Sequence, residues 1–501
     1  MTRAQSLLRK LALLLLAAVL LGSVSFSQRQ LNRLRADLGL TRVEPLQNAP
    51  PVLVFTTVVL GGFRGLIANA LWVRAMELQD QDRFFEMVQL ADWITKLQPR
   101  IPTVWVVMAW NMSYNISIKF SDPKDRWSWV QRGIELLRDE ALKYNPHEVE
   151  LYRELAWHFQ HKLGHNLDDA HLYFKTAWAT EMQNLLGGGR PNWDELLNPQ
   201  TEDARRRVAI LRERYKLDPA QMKETDERYG PLEWRLPEAH AIYWANLGRQ
   251  RAKSKEQLIK LRRIIYQSLY LAFHRGRIIR LKPGESIIFG ENLDIFPRAH
   301  AAYEEMMAED PEMREHIGRA HRNALLDAVY FYFVHQRYRE ANQWLDTVKK
   351  LYPKDYPAEM TLEDYALRRV GEDVGETDMN KTISNIRGAL VRSFVNLALG
   401  EEDQAQGYLL LARNIWNRYM NKIVGGPSEK RVGLPPLEEM RREVLDNLLP
   451  TLAPDLADVL RTRLNLPPPG STNAPPAVPA PASPAPATNA PPAGAARART
   501  P

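Results

Sequence analysis

The stretch Arg322–Pro353, RNALLDAVYFYFVHQRYREANQWLDTVKKLYP, carries the clearest structural signal in the chain. In its first half, small and apolar residues recur at the spacing of one helix face: Leu325, Ala328, Val329 and Tyr332. The polar triplet His335–Arg337 then breaks the pattern, and a second series follows before Pro353: Tyr338, Ala341, Leu345 and Val348. The stretch therefore predicts two consecutive helices joined by a short turn.

The same arrangement recurs along the chain, with similar spacing, in four further segments: Ala68–Pro99, Leu151–Met182, Ile386–Asn417 and a looser copy, Thr103–Pro146. In the looser copy, 121–126 looks like an inserted loop. A tyrosine just before an alanine at the helix crossing, with a proline ending the unit, resembles the tetratricopeptide (TPR) repeat, a helix pair of about 34 residues. The resemblance implies hairpins that stack into a superhelix with an extended groove.

The predicted fold class is all-α: a TPR-like superhelix of helical hairpins with two irregular insertions, an N-terminal membrane helix or signal and a disordered C-terminal tail. Repeats are predicted over 51–183 and 299–465, and a helical hairpin over 239–280. The insertions are 184–238, which contains Trp234, and 281–298, which contains Phe296. Because these two aromatic side chains need packing partners, we expect the insertions to be ordered.

The N-terminus has the layout of an export signal. Arg3, Arg9 and Lys10 precede the apolar run Leu11–Leu21, and small residues follow up to Ser27. Residues 1–28 therefore predict a signal peptide or an uncleaved membrane anchor, with a linker over 29–50. Either reading places the body outside the cytoplasm: on the bacterial inner membrane facing the periplasm, or released to the periplasm if the signal is cleaved.

A second apolar stretch, Pro51–Val73, needs a separate interpretation, and its first part, Val52–Phe63, is nearly all apolar. Gly61, Gly62, Arg64 and Asn69 interrupt it or follow it closely. An arginine at mid-bilayer costs at least about 2.5 kcal/mol. The pattern therefore favours a buried first helix, or one that lies against the membrane surface, over a second span.

The C-terminal stretch 466–501 consists almost entirely of Pro, Ala, Ser, Thr, Asn and Gly. Such a composition buries too little apolar surface to offset its chain entropy, so it predicts a disordered tail. Its proline-rich pieces, such as Pro479–Pro481, are either a spacer or a segment that docks into an aromatic groove.

Composition excludes several classes of protein. The 67 basic and 60 acidic residues leave a net charge of +7 that is spread along the chain, whereas a nucleic-acid binder concentrates its charge on one face. The chain has no cysteine, which excludes disulfides, thiolate metal sites and cysteine nucleophiles. No cofactor motif is present, and we predict that the protein is not an enzyme.

The TPR resemblance implies which residues face a groove, because the first helix of each TPR pair lines it. The corresponding positions are Asn69, Trp72 and Met76, then Tyr152, Leu155 and Phe159, then Asn323, Leu326 and Tyr330, and finally Arg387, Leu390 and Phe394. Aromatic and amide groups in a groove suit peptides or helices as partners. The competing interpretation is that several of these positions are core residues.

One cluster has the residue types of a metal site: His158, His161, His165 and His171, with Asp168 and Asp169 nearby. Imidazoles on one helix face with carboxylates within reach are plausible ligands. Gly164, however, predicts the end of that helix, and no His-Glu-x-x-His spacing is present. Structural histidines that hydrogen-bond between helices are the competing interpretation.

These patterns together predict a non-enzymatic scaffold that is tethered at the bacterial envelope and binds partner peptides or helices in a TPR-like groove. Two alternatives stay open. One is a metal-dependent enzyme that uses His158, His161 and His171, and the other is a purely structural envelope protein with the tail as a spacer.

Overall fold

The computed structural model describes residues 63–467 apart from 189, 283–285, 372–378 and 424–433, together with scattered residues between 15 and 34. Most of this backbone is helical and strands are few, which confirms the all-α class. The chain divides into two compact units, Met1–Leu271 and Ala272–Pro501. The linker 29–50, for the most part, and the tail from residue 468 onward lie outside the described residues, as does the apolar stretch before Phe63.

The first unit is built from helices of very different length. In chain order they are α1 Phe63–Asp80, α2 Phe84–Leu97, α3 Pro102–Trp110, α4 Pro123–Glu135, α5 Leu142–Tyr144, α6 Val149–Trp157, α7 His171–Leu186, α8 Trp193–Leu197, α9 Glu202–Glu213, α10 Pro219–Tyr229, α11 Pro237–Arg249 and α12 Lys255–Arg275, whose last residues, from Ala272, belong to the second unit. Three of them continue directly into π-helical segments: α3 into Asn111–Ile116, α4 into Leu136–Ala141 and α6 into His158–Gly164.

The second unit contains a β-hairpin as well as helices. Strands β1 Arg277–Arg280 and β2 Ile288–Gly290 pair antiparallel, with Ile278 opposite Phe289. The helices are α13 Phe296–Glu309, α14 Arg314–Val334, α15 Tyr338–Leu351, α16 Leu362–Gly371, α17 Met379–Leu399, α18 Glu402–Ile423, α19 Leu437–Leu448 and α20 Pro454–Arg463. The predicted hairpin over Arg322–Pro353 corresponds to α14 and α15, and Gln336 makes the turn between them at a positive φ of 59°.

Local sequence signals explain where several helices begin. Asp122, Thr201 and Asp218 precede α4, α9 and α10, and each side chain accepts a hydrogen bond from a backbone N–H of the first turn. Pro123 and Pro219 occupy the first helical position, where a missing N–H costs nothing.

The core of the first unit is centred on α11. Every residue from Pro237 to Gly248 is buried. The ring of His240 stacks on Phe159 of the α6 extension at 5.2 Å, and Trp244 lies 6.3 Å from Tyr152. The predicted insertion 184–238 contributes α8, α9 and α10 to this unit, and Trp234 is fully buried.

The second predicted insertion, 281–298, is also packed where the structure describes it. It supplies strand β2, and Phe296 at the start of α13 lies 4.7 Å from both Phe273 and Trp344. The strand pairing itself was not predicted. Among the described residues, none of the helices combines the length and the apolar character needed to cross a bilayer.

Candidate functional site

The three π-helical segments lie in one part of the first unit and carry buried polar side chains. A π-helix takes an extra residue into each turn, and such turns are frequent at functional sites. The buried polar residues in these segments and beside them are Asn111, Ser113, Ser117, Arg138, His158, Gln160 and Lys162. Buried polar groups are costly unless they are hydrogen-bonded, so their concentration makes this region a candidate functional site.

Five rings from two neighbouring helices form a continuous row, which we call the aromatic ladder: Trp110, Tyr114, Trp157, His161 and His165. Trp110 stacks on Tyr114 with centroids 5.6 Å apart, and Trp157 stacks on His161 at 4.5 Å. His165 lies 5.6 Å from His161. The ladder thus has two stripes, Trp110 with Tyr114 and Trp157 with His161 and His165. The stripes meet where the Tyr114 hydroxyl and His161 Nδ1 lie within hydrogen-bonding distance, 3.1 Å apart.

The ladder is open to solvent along part of its length. Trp110 is 40% exposed, and the other four rings are half-buried. Two aliphatic residues of the adjoining chain are more open still: Ile118, one turn beyond Tyr114, is 55% exposed, and Leu167 is 70% exposed. Aromatic rings that are rigid and only partly covered supply large contact area at low entropic cost, as in the hot spots of protein interfaces.

A buried ion cluster, formed by Lys162, Asp168 and Arg126, lies next to the ladder on the side of the protein interior. Lys162 Nζ lies 2.7 Å from Asp168 Oδ2, and both side chains are only 5% exposed. Arg126 Nη2 contacts Asp168 Oδ1 at 2.8 Å, while Nη1 reaches the exposed Asp169 at 2.6 Å. Because Lys162 Nζ also lies 5.0 Å from the centroid of Tyr114, the cluster touches the ladder directly.

The protonation of the cluster follows from its packing. Burial lowers the pKa of Lys162, and the hydrogen bond and charge of Asp168 oppose that effect. Burial by itself would raise the pKa of Asp168, but hydrogen bonds from Lys162 and from the Ala170 N–H outweigh it, so that the pKa lies below its usual value. The carboxylate therefore stays ionised between two cations.

The loop that follows the π-helix is fixed by a third buried cation, Lys175. Lys175, which is 1% exposed, donates to the His165 carbonyl at 3.0 Å and to Asn166 Oδ1 at 3.3 Å. The Ala170 N–H donates to Asp168 Oδ1 at 2.9 Å. These bonds hold the loop 165–170 and so fix the position of His165 at the end of the ladder.

A chain of amides extends the polar surface towards α1. Asn111 Nδ2 donates to Gln79 Oε1 at 3.4 Å and to the Val107 carbonyl at 2.9 Å. Asn115 Nδ2 donates to Asn111 Oδ1 at 2.6 Å. Residues of α1, of the α3 extension and of the α6 extension are thus linked side by side through polar contacts.

Two titratable side chains of the ladder, His161 and Tyr114, remain neutral near pH 7. Burial lowers the pKa of His161, and the nearby His165 and Lys162 lower it further. Burial raises the pKa of Tyr114, with a contribution from Glu154. A neutral imidazole beside a neutral phenol offers hydrogen bonding and stacking, which is the chemistry of recognition.

The predicted metal-ligating histidines have separate partners. His158 Nδ1 donates to the Glu154 carbonyl at 2.8 Å, His161 Nδ1 meets the Tyr114 hydroxyl, and His171 Nδ1 accepts from Lys175 Nζ at 3.2 Å. Within the part of the chain that the structure describes, no group of three or more His, Cys, Asp or Glu residues is arranged to hold a metal ion.

The predicted groove residues of the first unit divide between surface and core. Asn69 is exposed and Trp72 is half-buried, but Tyr152 and Phe159 are buried. The Tyr152 hydroxyl donates to the Pro146 carbonyl at 2.9 Å, and Phe159 packs between Trp178 and His240 at 5.0 and 5.2 Å. Tyr152 and Phe159 are therefore core side chains that a partner does not reach, because α11 covers them.

In the second unit the predicted groove residues also differ in exposure. Asn323 is exposed and Tyr330 is half-buried. Arg387 is exposed and pairs with Glu443 at 2.7 Å. Phe394 is buried, with the Arg441 guanidinium 5.5 Å from its ring centre, so it too is a core side chain. Nothing in the second unit brings these four residues into one row like the ladder, as far as the described contacts go.

A polar cleft of about 450 Å³ opens in the second unit. Its two arginines already pair with carboxylates of the rim: Arg277 with Glu401 at 2.8 Å and Arg337 with Asp294 at 2.8 Å. His335 Nε2 lies 2.6 Å from the Gln404 amide. The arginine charges of this cleft are thus satisfied internally, and the ladder is the stronger candidate site.

Comparison with known proteins adds no family to these observations. The chain matches no protein-family model, and searches of curated proteins and of solved structures found no match. The chain is therefore characterised by its fold and its site: a mainly helical protein whose first unit presents an aromatic surface next to buried ion pairs.

Sequence reasoning missed the ladder although a signal was present. Its members recur at intervals of four residues: Trp110 and Tyr114 on one helix, followed by the exposed Ile118, and Trp157 and His161 on the other, followed by His165 just after the helix ends. The TPR resemblance instead predicts a groove face on the second helix that is made of Tyr152, Leu155 and Phe159. Residues four apart lie on the same face of a helix, so the two series of large side chains indicate the face of each helix that carries the ladder.

Proposed function

We propose that the chain is a non-enzymatic scaffold that is tethered at the bacterial envelope and binds partner peptides or helices on the aromatic ladder. The observation that carries the proposal is the ladder itself, since two stripes of partly exposed rings are held in place by a buried network of ion pairs. Such a preorganised surface binds without a further cost of ordering its own side chains.

The position of the ladder supports a TPR-like mode of binding. Helices α3 and α6 begin two successive predicted helix pairs, Thr103–Pro146 and Leu151–Met182. In TPR proteins the first helices of successive pairs line the groove, which is where the two stripes of the ladder would then lie. The partner would place apolar side chains on the rings and hydrogen-bond to Asn115 or to the indole N–H groups.

The tether is supported by residues near the N-terminus. The described residues between 15 and 34 are helical, and their large apolar side chains are 52% to 71% exposed: Leu15, Leu16, Val19, Leu20, Val24, Phe26, Leu31 and Leu34. Apolar side chains at this density are unfavourable in water and favourable in a bilayer. We infer that this segment serves as an anchor or export signal and that the body is extracytoplasmic.

The scaffold proposal is tested by crosslinking and co-purification from native membranes. The variant Trp110→Ala with His161→Ala removes one ring from each stripe of the ladder. Trp93→Ala is the matched control, because Trp93 is 49% exposed and does not belong to the ladder. We expect a reproducible protein partner with the wild-type chain and the control, and its loss with the double variant.

A folding measurement separates loss of the surface from loss of the fold. Since both substituted rings are only partly covered, the double variant should retain the far-ultraviolet circular dichroism and most of the thermal stability of the wild type. Equal capture of the same partner by the folded double variant would show that the ladder is not the binding surface. No arrangement among the described residues favours the metal-dependent alternative, which would require stoichiometric metal in the purified chain.

A further inference from the structure

The outer face of α1 exposes large apolar side chains. Leu66 is 66% exposed, Val73 is 60% exposed and Ile67 is 41% exposed. Leu66, Ala70 and Val73 follow the i, i+4, i+7 spacing of one helix face, and Ala70 is exposed as well. This face is therefore an apolar stripe that the described residues leave open to solvent.

Exposure of this kind is concentrated in the first unit. In the second unit only three large hydrophobic residues among those described are exposed, namely Tyr338, Leu351 and Val459, and none of them exceeds 46%. Isolated exposed apolar residues are ordinary, whereas a stripe along one helix marks a surface that contacts another phase or molecule.

The sequence before α1 indicates what covers the stripe. Val52–Leu60 contains only apolar residues and two threonines, so it requires an apolar environment. Leu60 is three residues from Phe63, where α1 begins, and three residues span at most about 11 Å. The first turns of α1, with Leu66 and Ile67, therefore follow this apolar run closely along the chain.

We propose that the Leu66–Val73 face of α1 lies against the lipid surface of the membrane to which the chain is tethered. The inference rests on the tether proposed above and goes beyond it, because it makes the folded body a peripheral membrane contact. The cation at the end of this face is neutralised, since Arg74 Nη1 lies 2.8 Å from Glu77 Oε2. The contact is thus apolar, and attraction to anionic lipid contributes little.

The absence of cysteine from the chain makes a site-specific test direct. The full chain with Val73→Cys, labelled with an environment-sensitive fluorophore, is reconstituted into vesicles whose acyl chains carry a bromine quencher. Leu20→Cys, in the predicted anchor, and Val459→Cys, in the second unit, are labelled in the same way. We expect the quencher to reduce the fluorescence at positions 73 and 20 and to leave position 459 unchanged.

The controls separate the two proposals. Quenching at position 20 without quenching at position 73 would overturn the lipid contact of α1 and leave the tether intact. No quenching at either position would overturn both. A blue-shifted emission at position 73 that lipid bromine does not quench would mean that protein covers α1, which also overturns the proposal. Quenching at position 73 should be equal at about 0.1 M and 1 M salt, because screening weakens only charge attraction.

Discussion

Asp168 is the carboxylate that compensates two buried cations, Lys162 and Arg126. Removing one partner of a buried ion pair costs about 3–5 kcal/mol, because an uncompensated charge stays in a medium of low polarity. We expect Asp168→Asn to lower the free energy of unfolding by about this amount. Lys162→Met should cost less, since Asp168 keeps Arg126 and the Ala170 N–H as partners.

Urea unfolding followed by tryptophan fluorescence measures this difference. Eleven of the 13 tryptophans lie in the first unit, so the signal reports mainly on the unit that contains the cluster. Equal midpoints for the two variants would contradict the prediction that Asp168→Asn is the more destabilising change. An unchanged midpoint for Asp168→Asn would show that the cluster is not buried in solution.

The buried histidines of the first unit make its stability depend on pH. Burial lowers the pKa of His158 and of His240 from 6.5 to about 4. Below pH 6.5 the unfolded chain binds these protons while the folded chain does not, so the free energy of unfolding falls as the pH decreases towards 4. Each histidine accounts for at most about 3 kcal/mol of this loss.

The pH dependence is measured as the slope of the free energy of unfolding from about pH 6 to pH 5. The slope is proportional to the number of protons that the chain takes up on unfolding. His158→Gln should lower this number by up to one, and the double variant His158→Gln with His240→Gln should lower it by up to two. The same slope in the wild type and the double variant would mean that neither imidazole is neutral in the folded chain.

At the scale of elements, the approach of α4 to the α3 extension depends on Gly133. A methyl group at this position would overlap Ser113 Oγ and lie 2.9 Å from the Ala109 carbonyl oxygen. We expect Gly133→Ala to destabilise the first unit by about 1–3 kcal/mol, the usual cost of overpacking, and to displace the π-helical segment that carries Tyr114. Thermal unfolding and partner capture should therefore both be weakened.

Gly388→Ala is the matched control, because Gly388 is also helical and nothing lies within 4 Å of the added methyl group. Alanine is favoured over glycine within a helix, so this variant should gain up to about 1 kcal/mol of stability. A loss at position 388 as large as that at position 133 would show that packing around Gly133 is not the cause.

The existence of the helices was predicted from the sequence, but the exposed face of α6 was not. Periodicity located α14 and α15, because Ala341, Leu345 and Val348 face the core at the expected spacing. On α6 the predicted groove face is buried because α11, 80 to 90 residues further along the chain, packs on Tyr152 and Phe159. Such a non-local contact leaves no trace in local periodicity.

The ion cluster was also beyond sequence reasoning, for a related reason. Asp168 and Asp169 were considered only as possible metal ligands beside histidines. Their actual partners are Lys162, on the π-helix that also carries His161, and Arg126, on α4 about 40 residues earlier in the chain. A charged residue usually indicates a solvated face, and only the tertiary contacts that bring Arg126 and Lys162 to Asp168 make these three charges buried.

At the scale of the whole molecule, each of the proposed activities belongs to the first unit. The ladder, its ion cluster and the exposed face of α1 all lie within Met1–Leu271. The two proposed contacts use different residues of this unit, so they are separable by mutation. Substitutions in the ladder should abolish partner capture without changing lipid quenching at position 73.

The tail then has a testable role of its own. If partners bind to the ladder, a chain that ends at Pro467 keeps every residue of the binding surface, and its partner capture from native membranes should equal that of the full chain. The unfolding transitions should also be unchanged, because proline- and alanine-rich sequence of this kind adds little buried apolar surface. If truncation abolishes partner capture while unfolding stays unchanged, the residues after 467, rather than the ladder, bind the partner. The proline-rich segment would then be the docking element. Capture that survives truncation but not the substitution of Trp110 and His161 would leave the ladder as the binding surface.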